Sequence, residues 1–336
     1  MTKQLSEGNS PAWVRTQPST ERAHGVDAGR LFMAFLVACL HSRAGNGVGT
    51  ADAANAILGM VCRAAVPFFL ITSGYFLNIP PKFSTQMIVK PLIRLLPVYV
   101  FWMTISYIYV YYTHALPLKF SIRDLVSGGS AFHLWYLPAL GVSLVFVSLG
   151  VTFLGRRALG IILSIFAFQV IVFGAYHDVF NMAGDALRGG LFIAPLFVFI
   201  GYMLARQKVI LSTSMAAVIS LIGLAIILVE EMVISYYADA PLTSHDFTIG
   251  TLVYGVGVFL FARSLQETRR LISVAKFGRY AFGIYLSHLL FVWTFGFCFI
   301  QRPVPIVLLI AMMSFVCAAS LTMAMFRIPY LRKVVG

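Results

Sequence analysis

The chain has 336 residues, 60% hydrophobic and only 11% charged, with a mean hydropathy of +0.87. Soluble domains carry about 25% charged residues, so a water-facing globular domain is excluded. The formal charge of +13 gathers at the ends of apolar runs, which implies no nucleic-acid partner. The runs themselves are about twenty residues long, the length that crosses ~30 Å of hydrocarbon. The short apolar-polar alternation of an outer-membrane barrel is absent. These features predict an all-α polytopic membrane protein.

Residues 1–24 are polar and include Pro11 and Pro18. They lack the pattern of a secretory leader and read as a cytoplasmic N-terminal tail. Ten apolar spans follow, over 27–43, 56–77, 92–112, 133–153, 158–175, 189–205, 209–230, 247–264, 280–300 and 304–325. Between the fourth and fifth only Gly155, Arg156 and Arg157 interrupt a long apolar stretch. No linker of soluble-domain length exists, so residues 25–326 form one transmembrane domain and 327–336 a short cytoplasmic C-terminal tail. With both termini inside, 19 of the 25 lysines and arginines fall on the cytoplasmic side and 6 outside, as positive-inside bias requires. Trp102, Trp135 and Trp293 suit interfacial belts. Cys39, Cys62, Cys298 and Cys317 stand apart in apolar surroundings without zinc-type spacing, so no metal site is expected.

Ionisable residues inside spans are expensive and mark candidate sites. Span one carries Asp27, Arg30 and His41. Eleven residues separate Arg30 from His41, which returns them to within about 20° of one helix face and about 16 Å apart along the axis. Asp27 and Arg30, three apart, can pair. Arg63 precedes Pro67 by four residues, and Pro67 is expected to kink span two. His133, Leu134, Trp135 and Tyr136 open span four, where aromatic faces and an imidazole suit a sugar. Tyr285 and His288 share a face of span nine, with His288 near its middle. Lys90, Arg94, Lys276 and Arg279 flank spans three and nine on the inner side, where they suit the phosphates of a nucleotide. Walker loops, dinucleotide fingerprints, HExxH and GxSxG are absent, as are the matched halves of a secondary transporter.

Four segments resemble the membrane-bound acyltransferase family 3, the bacterial O-acyltransferases of surface and secreted polysaccharides. They are Asp27-Ala28-Gly29-Arg30 through His41-Ser42, similar to an Arg-x10-His signature; Val66 to Leu77; Phe132 to Pro138, similar to a His-Leu-Trp motif; and Phe277 to His288. Together they extend from span one to span nine. Two departures stand out. Pro91 lies three residues before Arg94 and Lys90 four before it, where the family often has an Arg-x-x-Arg pair. Ala281 replaces a frequent serine.

The resemblance implies a bacterial inner-membrane enzyme that moves an acyl group from cytoplasmic acyl-CoA to a sugar hydroxyl. The group is acetyl from acetyl-CoA or succinyl from succinyl-CoA. The acceptor is an exopolysaccharide, a surface polysaccharide or a lipid-linked precursor, and membrane lipids surround the protein. No permanently bound cofactor is implied. Arg30, Lys90, Arg94 and Arg279 would hold the CoA phosphates, and the pantetheine arm would follow the first-span stripe. His41 would act as general base and Arg63 would stabilise the oxyanion. His133, Trp135, Tyr285 and His288 would bind the sugar. An acyl-His intermediate is the competing route. A transporter or flippase for an anionic or sugar-lipid substrate is the alternative activity.

Overall fold

The computed structural model describes residues 23–43, 53–114, 128–177, 179–180, 190–239, 241–243, 245–299 and 301–336. The cytoplasmic-tail expectation and the cations Lys119, Arg123 and Arg188 lie outside them. Every regular element among the described residues is helical. In chain order these are α1 (His24–Ser42), α2 (Ala53–Cys62), α3 (Ala65–Tyr75) and α4 (Gln86–His114), then a 3₁₀ turn (Gly129–Trp135) leading into α5 (Tyr136–Phe153). Next come α6 (Gly155–Phe173), α7 (Gly190–Gln207), α8 (Thr213–Tyr237), α9 (Ile249–Ser264) and α10 (Arg269–Ala275). A second 3₁₀ turn (Lys276–Tyr280) leads into α11 (Ala281–Gly296), followed by α12 (Val304–Phe326) and α13 (Pro329–Arg332).

Each of the ten expected spans contains a helix, but among the described residues eight are long and apolar enough to cross a membrane. The two that fall short are α9 and α11, each 16 residues and thus about 24 Å at 1.5 Å per residue. The preceding 3₁₀ turn lengthens the second of them. The expected end of span seven at 230 is also corrected: α8 continues to Tyr237. Glu230 and Glu231 sit inside this helix with their carboxylates satisfied. Side chains such as Ile93, Phe168 and Leu221 are 66–69% exposed, forming the apolar exterior that lipid requires.

Proline and glycine place the breaks. Pro67 has no N–H, and its ring opposes the carbonyl four residues back. The expected kink appears as a full interruption at Arg63–Ala64 between α2 and α3. At the short boundary between α5 and α6, Gly155 takes a left-handed φ of +78°, which lets the chain reverse there.

Close backbone approach determines how the helices stack. A Cβ on Gly74 of α3 would lie 1.9 Å from the Val198 carbonyl oxygen of α7, and one on Gly201 of α7 would lie 2.0 Å from that of Ile71. The two helices therefore cross in backbone contact, glycine against carbonyl in both directions. α1 packs in turn on α11. Asp27 packs on Gly278, Ala34 clusters with Ala281 and Ile284, and His41 meets His288. Contacts advance together along both helices, so α1 and α11 run parallel. Arg302 anchors their common end, its guanidinium donating to the Ser42 carbonyl of α1 at 3.3 Å and to the Gly296 carbonyl of α11 at 2.8 Å. A cation there satisfies terminal carbonyls and complements both helix dipoles. At the other end the C-terminal residues fold back, and the Trp102 indole donates to the Val334 carbonyl at 2.7 Å.

Candidate active site

Three imidazoles from three elements meet near the Ser42 end of α1. His41 stacks on His288 with ring centroids 5.3 Å apart and planes 29° from parallel. His133, from the first 3₁₀ turn, lies 5.4 Å from His288 and 6.4 Å from His41. His288 and His133 are buried, at 0% and 2% exposure, and His41 is half-buried. Phe132 packs against His41 in a T-shaped contact with ring centroids 5.2 Å apart. Beneath the cluster Tyr285 packs 5.3 Å from Tyr136, and Phe69 of α3 closes the floor 6.4 Å from both.

Hydrogen bonds clasp the 3₁₀ turn to α11 in both directions. The Tyr285 hydroxyl donates to the His133 carbonyl, and His133 Nε2 donates to the Leu286 carbonyl at 3.1 Å. His288 Nδ1 donates to the Tyr285 carbonyl at 2.6 Å. Carbonyl oxygens only accept, so these partners assign the ring protons to His133 Nε2 and His288 Nδ1. The other nitrogens, His133 Nδ1 and His288 Nε2, are buried without a hydrogen-bond partner.

His133 and Trp135, expected on one sugar-binding face, point to different surroundings. A 3₁₀ helix turns about 120° per residue, so residues two apart face different directions. Trp135 packs over Gly190 and sets its edge against Phe247, 6.3 Å away, while His133 joins the imidazoles. Tyr285 and His288 are brought together with His133, as grouped from their spacing and motifs. Arg63 occupies the break before α3, where it pairs with Asp246.

The four expected phosphate-binding cations divide. Arg30 pairs with Asp27 at 3.6 Å with its side chain 30% exposed, on the α1 face that carries His41. Arg279 is exposed on the neighbouring 3₁₀ turn, 4.6 Å above the Tyr280 ring and 2.6 Å from its hydroxyl. Lys90 and Arg94 are exposed one helical turn apart on α4, which packs chiefly on α5 and the first 3₁₀ turn rather than on α1.

One polar group escaped the sequence reading. Glu230 and Glu231 lie buried within apolar α8. Glu230 accepts the Ile249 and Gly250 amides at 2.9 and 2.8 Å, capping α9, and also accepts the Tyr176 hydroxyl. Glu231 accepts from His245 Nδ1 at 2.7 Å. Two adjacent acids in an otherwise apolar 25-residue helix were the available signal. Glu230→Ala leaves two helix-terminal amides without their acceptor and should destabilise the protein by about 2–3 kcal/mol. Thermal melts in detergent check this, and CoA affinity should remain at the wild-type level.

The bundle is that of a multi-pass membrane protein with three imidazoles gathered at one end. The profile of a family described as an acyltransferase domain matches residues 23–325. The chain belongs to that family, the membrane-bound acyltransferase family 3. Two curated relatives carry other names. An amino-acid racemase of Enterococcus faecalis is 25% identical over 57% of this chain and 30% of its own length. A serine/alanine racemase of Enterococcus gallinarum is 26% identical over 66% of this chain and 34% of its own. The chain thus spans about a third of the length of these relatives. No solved structure matches.

Proposed function

We propose that this acyltransferase takes an acyl group from cytoplasmic acyl-CoA and delivers it to a sugar hydroxyl of an exopolysaccharide, a surface polysaccharide or its lipid-linked precursor. Acetyl is the favoured group and succinyl the second. The observation that carries the reading is the placement of His41 in a three-imidazole cluster while Arg30 lies eleven residues away on the same α1 face. A ligand along this face spans about 16 Å, a length suited to a phosphate-bearing head at Arg30 and a thioester at His41. Lys90, Arg94 and Arg279 supply further charge for the phosphates.

In this reading His41 takes the proton of the acceptor hydroxyl, and the oxygen attacks the thioester carbonyl. Arg63 supplies positive potential as charge develops on the carbonyl oxygen. Collapse expels the CoA thiolate, which recovers the proton from His41. His133, Tyr285 and His288 surround the acceptor, and Trp135 acts from the Phe247 side. The His24 end of the bundle faces the cytoplasm of a bacterial inner membrane, where the lysines and arginines concentrate. The parallel course of α1 and α11 supports ten crossings, because an even number of passes must then precede α11, and this includes the short α9. Racemisation is not carried over from the relatives. Their match covers only about a third of their length, whereas the acyltransferase profile covers residues 23–325 of this chain.

The test is the melting temperature of detergent-purified protein with CoA, acetyl-CoA and succinyl-CoA. At a hundredfold excess over Kd, binding stabilises the native state by about 2.7 kcal/mol. A rise of several degrees is expected, reduced in Arg30→Ala and Arg94→Ala. Absence of any shift at millimolar ligand overturns the donor assignment and favours a transporter.

A further inference from the structure

The two unpartnered nitrogens carry a chemical requirement that goes beyond a general sugar site. His133 Nε2 and His288 Nδ1 have spent their protons on the Leu286 and Tyr285 carbonyls. In the neutral rings, His133 Nδ1 and His288 Nε2 therefore present lone pairs, and both are buried with no hydrogen-bond partner. An unsatisfied buried acceptor is costly, so two within one cluster point to a missing ligand. Nearby hydroxyls are already committed: Tyr285 to the His133 carbonyl, Ser42 to that of Ala38 and Ser287 to that of Gly283.

What fills this place must donate twice. Thioester carbonyls, CoA phosphates and a succinyl carboxylate are acceptors and repel such lone pairs. Hydroxyl groups donate. The ring centroids stand 5.4 Å apart, near enough for one small molecule to donate to both nitrogens at about 2.8 Å, and the hydroxyls on adjoining carbons of a sugar are the closest such pair of donors. His41 stacks on His288, so a hydroxyl beside such a pair is presented to it.

We propose that His133 Nδ1 and His288 Nε2 read neighbouring hydroxyls of the acceptor, making the enzyme selective for a vicinal diol. This rests on the acyltransferase reading and specifies its acceptor. A lone hydroxyl, or hydroxyls on non-adjacent carbons, leaves one lone pair bare. Sites built around such hydrogen bonds reject analogues that lack the donor.

Small alcohols test this without knowledge of the natural polysaccharide. CoA release from acetyl-CoA is followed in detergent with propane-1,2-diol, propane-1,3-diol and propan-1-ol as surrogate acceptors. Wild-type protein should use the 1,2-diol with a kcat/KM at least tenfold above the other two. In His133→Phe and His288→Phe that selectivity ratio should fall towards one. The wild-type ratio decides the matter even where a variant fails to fold. Equal use of the 1,2- and 1,3-diols by wild-type protein overturns the proposal. If no alcohol supports CoA release while acetyl-CoA still raises the melting temperature, the diol site is wrong and the donor reading stands. If acetyl-CoA gives neither stabilisation nor turnover, the acyltransferase mechanism fails and the diol site with it.

Discussion

His41→Ala should lower the rate of acyl transfer by about three orders of magnitude, the middle of the range for loss of a positioned general base. The change should spare folding. His41 lies in the last turn of α1, alanine is the best helix former, and Arg302 continues to hold the Ser42 carbonyl at the helix end. Removing the ring takes away its stacking on His288 and the edge contact of Phe132. The floor of Tyr285, Tyr136 and Phe69 remains. Acetyl-CoA should still raise the melting temperature, since the phosphate-binding cations are elsewhere. The measurement is CoA release with an acceptor present, set beside that thermal shift. Loss of turnover with retained stabilisation assigns His41 to chemistry. Transfer at the wild-type rate removes it from the mechanism.

Much of this site was legible along the chain because a helix converts spacing into direction. The interval between Arg30 and His41 placed both on one face of α1, and that face meets α11 at Ala281, Ile284 and His288. The three-residue step from Tyr285 to His288 was legible for the same reason. Where the backbone leaves the α-helix, spacing loses its meaning. His133 and Trp135 belong to a 3₁₀ turn, so a grouping drawn from their adjacency parts them in space. Partnerships between distant segments were out of reach altogether. Asp246 on Arg63 and Glu230 on the start of α9 join residues 183 and 19 or 20 positions apart. The continuation of α8 to Tyr237 depends likewise on partners for Glu230 and Glu231 that lie elsewhere in the chain.

The cluster needs a rigid surround because its imidazoles come from elements remote in sequence. The clasp between the first 3₁₀ turn and α11 fixes His133 and His288 relative to each other through backbone carbonyls. His41 depends instead on the register of α1 against α11, which Arg302 ties at the shared end. α3 contributes Phe69 below Tyr285 and Tyr136. The position of that aromatic is set one turn further along, where α3 crosses α7.

Gly74→Val should therefore be among the most damaging single substitutions in the bundle, destabilising by about 3 kcal/mol or more. The added Cβ would meet the Val198 carbonyl oxygen at 1.9 Å and its carbonyl carbon at 2.7 Å. Both are backbone atoms of a helix and cannot swing aside as a side-chain tip can. Relief requires α3 and α7 to separate, which also breaks the reciprocal approach of Gly201 to the Ile71 carbonyl and removes Phe69 from the floor of the site. Gly155→Ala supplies the contrast. Its φ of +78° penalises an L-residue by about 1–2 kcal/mol, yet no atom lies within 4 Å of the new Cβ. Size-exclusion profiles and melting curves of the two detergent extracts should diverge: little monodisperse protein for Gly74→Val, and a folded, active enzyme with a modestly lower melting temperature for Gly155→Ala. Equal tolerance at both positions would mean that α3 and α7 do not approach through their backbones, and the floor beneath the imidazoles would need another support.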